Sequence, residues 1–216
     1  MYKPLLPVAG DGRRLKVGLL GGSFNPAHEG HRYISLEALK QLGLDEVWWL
    51  VSPLNPFKAG QKVPPLELRV AEAEKIAANP KIKVSGIENE LGTYLTADTL
   101  EKLCKRFPNV DFVWLMGDDL AEEFTRWYRW RKIFSLVSIA VFSRKAYPWQ
   151  TVAAKAFRAF AKSRVAGDNI RNLARTEKPA WAYVRMKPNP LSSTLIRNKE
   201  KEGKYICPSK RKKLPQ

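Results

Sequence analysis

The chain has 216 residues, of which 44% are apolar and 27% charged, and a formal net charge of +17 at neutral pH. That length suits one domain with a full α/β core, and the apolar content fits a globular protein. No apolar run approaches the ~18 residues a membrane span needs, and the first 14 residues carry prolines and glycines without the apolar stretch of a signal peptide.

The two cysteines, Cys104 and Cys207, lie far apart without metal-ligand spacing, so a reducing, cytoplasmic setting is expected. The basic surplus attracts polyanions, but much of it belongs to solvated faces and to a tail containing Lys210-Arg211-Lys212-Lys213. Charge alone does not separate a nucleotide enzyme from an RNA-binding protein.

In chain order, apolar runs predict strands over 15–20, 46–52, 82–87, 112–116, 138–142 and 182–186. Helical spacing predicts helices over 31–42, 66–78, 97–107, a short piece around 127–134, one over 152–175 and one over 193–201. Alternating β and α elements, with strands as uniformly apolar as Phe112-Val113-Trp114-Leu115-Met116, predict a Rossmann-like, doubly wound parallel sheet with helices on both faces. The expected organisation is a flexible leader over 1–14, a single domain over 15–203 and a basic tail over 204–216. In such sheets ligands bind beyond the carboxyl ends of the strands, where strand order reverses.

The first strand runs into Gly21-Gly22-Ser23-Phe24-Asn25-Pro26-Ala27-His28-Glu29-Gly30-His31. A glycine-rich turn ahead of a helix gathers free N–H groups and the positive end of the helix dipole, which suits phosphate. His28 and His31, the chain's only histidines, sit at the loop's end and can donate to the same anion. No lysine closes the loop as in GxxxxGK[ST], GxGxxG is absent, and the histidine spacing is one short of the zinc-binding His-Glu-x-x-His arrangement. Further on, Ser192-Ser193-Thr194 opens a predicted helix one turn before Arg197. Alone that reads as an ordinary N-cap with a solvated arginine; beside the glycine loop it reads as a second anion site.

The glycine loop resembles the GGSFDPxHxGH signature of nucleotidylyltransferases, relatives of the class I aminoacyl-tRNA synthetases, with Asn25 in place of the commoner Asp. Leu191-Ser192-Ser193-Thr194-Leu195-Ile196-Arg197 resembles the same family's ISSTxIR motif. Pro53-Leu54-Asn55-Pro56-Phe57-Lys58 stands where relatives often carry Pro-Pro-His-Lys, so Phe57 replaces a histidine and Lys58 keeps the cation. Thr93-Tyr94-Leu95-Thr96-Ala97-Asp98-Thr99-Leu100 and Gly117-Asp118-Asp119, with Trp127-Tyr128 eight residues on, resemble elements of the nicotinate-nucleotide adenylyltransferase branch. Arg144 falls where relatives have Arg-Pro-Gly, but Lys145 and Ala146 follow it, so it is given no role.

The resemblance implies transfer of AMP from ATP to nicotinate mononucleotide, giving deamido-NAD and pyrophosphate. It implies ATP binding by Gly21, Gly22, Ser23, Phe24, His28, His31, Ser193, Thr194 and Arg197, with His28, His31, Lys58 and Arg197 catalytic. Nicotinate-nucleotide binding falls to Thr96, Asp119, Trp127 and Tyr128, with Trp127 stacking the pyridine ring. Thr96 is expected to cap the helix that follows it, and Trp130 to belong to the core. Mg²⁺ is expected to arrive with ATP, without a dedicated protein metal site. Neither a membrane nor nucleic acid is an expected partner. The alternatives are a related transferase with another phosphorylated acceptor, such as phosphopantetheine, and a basic nucleic-acid-binding module.

Overall fold

The computed structural model describes residues 14–53, 63–143 and 148–187. Seven strands form one sheet in the order β3-β2-β1-β4-β5-β7-β6. They are β1 (Leu15–Gly22), β2 (Glu46–Val51), β3 (Ile82–Ser85), β4 (Val110–Gly117), β5 (Ser138–Phe142), β6 (Arg164–Val165) and β7 (Trp181–Val184). Every pairing is parallel. Strands covered on both faces are largely apolar, and β4, buried at all eight positions, is so except at Asp111, which pairs with Arg14 at 2.7 Å.

The order reverses between β1 and β4. From β1 the chain winds outward through β2 to β3, then returns to lay β4 on the other side of β1, with Leu20 opposite Leu115. The carboxyl ends of these two strands therefore bound the crevice where a ligand is expected.

Helices α1 (Glu29–Gln41) and α2 (Leu66–Ala77) cover one face. Their buried Ile34, Ala38, Val70, Ala73 and Ala77 join Trp49, Val113 and Leu115 in one core cluster. On the other face lie α4 (Thr96–Arg106), α5 (Trp130–Leu136) and α7 (Lys155–Ala159). There Leu100, Leu103, Ile133, Phe134 and Phe157 pack on Trp48, Phe112 and Trp114. Short helices α3 (Ile87–Glu90) and α6 (Pro148–Ala153) complete the set among the described residues.

The structure corrects one long element. Instead of a single helix over 152–175, the chain forms α6, α7, a 3₁₀ turn at Ala161–Ser163, the two-residue β6 and a 3₁₀ segment at Gly167–Arg175. Ala154 leaves the helical region at φ −59°, ψ 137°, and Gly167 sits at φ +62°. Either breaks an α-helix. Smaller shifts are that α1 starts at Glu29 rather than at His31 and that the strand predicted over 82–87 ends at Ser85, with α3 beyond it. The segments expected to be a leader, a basic tail and a helix over 193–201 lie outside the described residues. No helix among the described residues is long and apolar enough to cross a membrane.

Candidate active site

At the crevice between β1 and β4 lies a cleft of about 100 Å³, lined by Gly21, His31, Trp114, Asp119 and Trp127 among others. Four of the sequence-predicted site residues (Gly21, His31, Asp119 and Trp127) thus meet in one place. Gly21 is required there, because a Cβ would come within 2.4 Å of the Trp114 ring.

His28 is the N-cap of α1, in extended conformation. Its Nδ1 accepts the Gly30 N–H at 3.0 Å, and His31 Nδ1 accepts the His28 N–H at 3.2 Å. Two histidines thus form a reciprocal capping box, a part more often played by Ser or Thr with Glu. In each neutral ring the accepting Nδ1 leaves the proton on Nε2, so both imidazoles are Nε2–H donors. Their ring centroids are 3.9 Å apart. His28 is 5% exposed, and of the two rings His31 is the one that lines the cleft.

Phe24 supports this pair from below. It has the left-handed φ of +45°, uncommon for a bulky residue and a mark of a backbone held by its surroundings. Its buried ring stacks on Trp49 at 5.1 Å and meets His31 at 4.7 Å. Trp49 Nε1 donates to Ser35 Oγ at 2.7 Å, and Ser35 Oγ donates to the His31 carbonyl at 2.9 Å. The first turn of α1 is thereby fixed to β2. Gly22, Ser23 and Phe24 shape the loop and do not line the cleft.

Arg69, on α2, was not singled out from the sequence. It is 2% exposed, and its guanidinium donates to the carbonyls of Ser23 (2.7 Å), Ser52 (2.8 Å), Pro64 (3.0 Å) and Pro53 (3.4 Å). One cation therefore joins the glycine loop to the loop after β2. Its signal in the sequence is position: Arg69 occupies the apolar face of α2 with Leu66, Val70, Ala73 and Ala77.

On the other wall, Trp127 packs on Phe124 at 4.9 Å and meets Trp114 edge-on at 6.1 Å. Trp130, half-buried against Phe134 and Phe160, is core, as its sequence context suggests. Tyr128 is 54% exposed and outside the cleft lining. Arg129, at φ +50°, reaches from this loop to Asp98 (3.2 Å) and Glu101 (3.4 Å) on α4. That ties the tryptophan loop to the first turns of α4.

Thr96, the N-cap expected from the sequence, does not cap α4. Leu95, in extended conformation, is the N-cap and offers no side-chain bond. Its carbonyl accepts from the N–H groups of Asp98 and Thr99, both at 3.0 Å. Thr96 and Ala97, at the first two helical positions, have no backbone N–H partner among the described residues. Near them Glu88 is buried, and burial pushes its carboxyl up to about 7, with Thr99 and then Ser52 pulling it back.

Lys58, Arg144, Ser193, Thr194 and Arg197 lie outside the described residues. No group of three or more His, Cys, Asp or Glu side chains able to hold a metal occurs among the described residues.

Residues 19–199 match the cytidylyltransferase-like family. A probable nicotinate-nucleotide adenylyltransferase of Methylorubrum extorquens is 44% identical over 185 residues, covering 86% of this chain and all of that protein. A relative of the same description from a Bradyrhizobium species is 46% identical over 85% of this chain and 96% of its own. In fold, the chain is similar to a Plasmodium falciparum nicotinic acid mononucleotide adenylyltransferase complexed with APC. There the TM-score is 0.62 at 16% identity, over 90% of this chain and 91% of that one. A histidine capping box at the switch point of a parallel sheet, with relatives alike over nearly their whole length, places the chain in the cytidylyltransferase-like family, among its nicotinate-nucleotide adenylyltransferases.

Proposed function

We propose that this nicotinate-nucleotide adenylyltransferase joins ATP and nicotinate mononucleotide across the β1–β4 cleft, releasing deamido-NAD and pyrophosphate. The nucleophile is a phosphate oxygen of the acceptor, anionic at neutral pH, so no general base is needed. It attacks the α-phosphorus of ATP, and the bond to the bridging oxygen breaks as pyrophosphate leaves. The work left to the protein is alignment and stabilisation of charge at the α-phosphate.

His31 and His28 supply Nε2–H donors to the α- and β-phosphate oxygens, and the backbone from Gly21 to Phe24 shapes the cradle. Lys58, Ser193, Thr194 and Arg197 hold the leaving pyrophosphate in this reading. Trp127 stacks the pyridine ring, and Asp119 takes a ribose hydroxyl or a water on the metal. Tyr128 belongs to the nicotinate-nucleotide-binding set on the reading carried over from the family motif. The Thr96 and Ala97 N–H groups, without a partner among the described residues, suit the nicotinate carboxylate, where a neutral amide would leave them poorly matched. Mg²⁺ carried by the triphosphate would neutralise charge there. Asp119 in the cleft wall would face such an ion, held mainly by phosphates and water. We place the reaction in the cytoplasm, on the cysteine usage.

The observation that carries this reading is His31, oriented through its Nδ1 by the His28 N–H and lining one cleft with Asp119 and Trp127. The test is pyrophosphate release from ATP over a panel of nicotinate mononucleotide, nicotinamide mononucleotide and phosphopantetheine. Release is expected with the first, at a kcat/KM well above the second. Turnover of phosphopantetheine alone would reject the acceptor, and equal use of the acid and amide would reject the role of the α4 N–H groups.

A further inference from the structure

Helix α3, just before the turn into α4, holds a buried carboxyl that the chemistry above does not use. Glu88, 6% exposed, receives a bond from Thr99 Oγ1 to its Oε1 at 3.1 Å, and Thr99 Oγ1 lies 2.9 Å from Thr93 Oγ1. All three side chains are buried. The Thr93 N–H donates to the Glu88 carbonyl at 2.9 Å, and Lys102 Nζ donates to the Leu91 carbonyl at 2.6 Å. Residues 91–95 are thus stapled from both sides, with Gly92 at φ +60° making the reversal.

Among the described residues, Glu88 is bonded to hydroxyls and to no cation. Its Oε2 is buried without a hydrogen-bond partner among the described residues. The charged groups on the surrounding elements are engaged elsewhere. Arg69 holds carbonyls, Lys102 holds Leu91, Arg106 pairs with Glu90, and Arg129 pairs with Asp98 and Glu101.

We propose that Glu88, Thr99 and Thr93 form a positioning triad that sets the direction of the Thr96 and Ala97 N–H groups at the start of α4. Through that triad Glu88 governs discrimination between an anionic and a neutral ring substituent on the acceptor. The proposal rests on the reading that the acceptor carboxylate meets the start of α4.

Two physical arguments support it. The direction of the Thr96 and Ala97 N–H groups depends on the backbone at Leu95, and the triad anchors the turn ending there. Electrostatically, Thr99 is one turn along α4 from Thr96, so an ionised Glu88 would repel an incoming carboxylate through a poorly screened interior. A neutral Glu88 would not, and binding of the anion would in turn favour the protonated form. Since the carboxyl titrates near about 7, the acid acceptor should lose ground as pH rises through that region. The amide acceptor should not.

The experiment compares kcat/KM for nicotinate and nicotinamide mononucleotides, as a ratio, from about pH 6.5 to about pH 8.5. Titration of the shared phosphate cancels in the ratio. In the unmodified protein the acid-to-amide ratio should fall roughly tenfold over that range. Glu88→Gln, which keeps the shape and cannot ionise, should hold the ratio flat while leaving the KM for ATP unchanged. Thr99→Val removes the bond that lowers the Glu88 pKa, so it should move the midpoint of the fall to higher pH. The same pH dependence in the unmodified protein and Glu88→Gln overturns the proposal, and so does an unmoved midpoint in Thr99→Val. A ratio near one at every pH in the unmodified protein removes the acceptor reading at α4 as well.

Discussion

The Arg69 guanidinium donates to the Ser23 carbonyl at 2.7 Å across 46 residues of sequence, and the same group holds Ser52, Pro53 and Pro64. Charge-assisted bonds to several carbonyls from a buried arginine are among the stronger polar contacts a protein makes. Arg69→Ala would leave those carbonyls unsatisfied inside the fold. A loss of about 2–4 kcal/mol in stability is expected, with turnover falling because the glycine loop and the loop after β2 separate. Arg69→Lys keeps the charge but cannot fork onto four carbonyls, so it should recover part of the stability and little of the rate. Denaturant unfolding and pyrophosphate release, run on both variants, check this. An Arg69→Lys protein as active as the unmodified one would reject the clamp.

His28 and His31 separate capping from catalysis. Asn is a good N-cap, so His28→Asn should keep α1 intact, with stability within about 0.5 kcal/mol. It removes the Nε2–H donor, and kcat should fall about 10²–10³-fold, the usual cost of losing one donor to developing charge. His31→Ala should lose both the donor and the bond that orients the His28 backbone, combining a similar rate loss with a lower melting temperature. Turnover of His31→Ala within a few-fold of the unmodified protein at saturating ATP contradicts its assignment.

The sheet was legible because parallel strands covered on both faces are largely apolar, and Phe112-Val113-Trp114-Leu115-Met116 in β4 shows little else. The glycine loop was legible because its residue types serve a local purpose. Three features were hidden, each for a physical reason. Arg69 finds its partners in other loops, so its local sequence shows only a cation on an apolar helix face. The capping position went to Leu95 over Thr96, because the turn held by Glu88, Thr93 and Thr99 fixes the backbone and side-chain preference yields to it. The stretch over 152–175 has helical apolar spacing, with Ala156 and Phe157 buried in one part and Leu173 and Ala174 in another. Spacing says nothing about the extended backbone at Ala154 or the positive φ at Gly167.

Gly21 and Trp114 pack against each other in the cleft lining. A methyl group on Gly21 would reach within 2.4 Å of Trp114 Cη2, and the indole is 4% exposed in a packed core with little room to retreat. Gly21→Ala should therefore cost about 1–3 kcal/mol by overpacking and push Trp114 toward Trp127. The double variant Gly21→Ala with Trp114→Phe should regain much of the stability. Equal destabilisation of the single and double variants, measured by thermal unfolding, would show that the contact is not the cause.

Arg129 should act on the acceptor and not on ATP. It joins the loop carrying Trp127 to Asp98 and Glu101 through exposed ion pairs, each worth little to overall stability. Arg129→Gly suits the positive φ but removes both pairs, so stability should change by less than about 1 kcal/mol. Freed from α4, the Trp127 loop should hold the pyridine ring less well. The expected result is a rise of several-fold in KM for the mononucleotide with KM for ATP unchanged. A parallel rise in both would show that Arg129 supports the whole cleft.

Glu88 makes a prediction about stability that does not depend on any substrate. Its carboxyl lies at about 7 in the fold against 4.5 in the unfolded chain, so the folded state binds the proton more tightly. The contribution is fully present below about pH 4.5, fades as pH rises and is lost above about pH 7. The two values bound it at about 3 kcal/mol. Glu88→Gln cannot titrate, so the stability of the unmodified protein minus that of the variant isolates the term. That difference should decline between about pH 5 and pH 8 in urea unfolding, while titrations common to both proteins cancel. A difference that stays constant across this interval means that Glu88 is already ionised in the fold, and a difference that grows with pH only below about pH 5 means that a cation holds it.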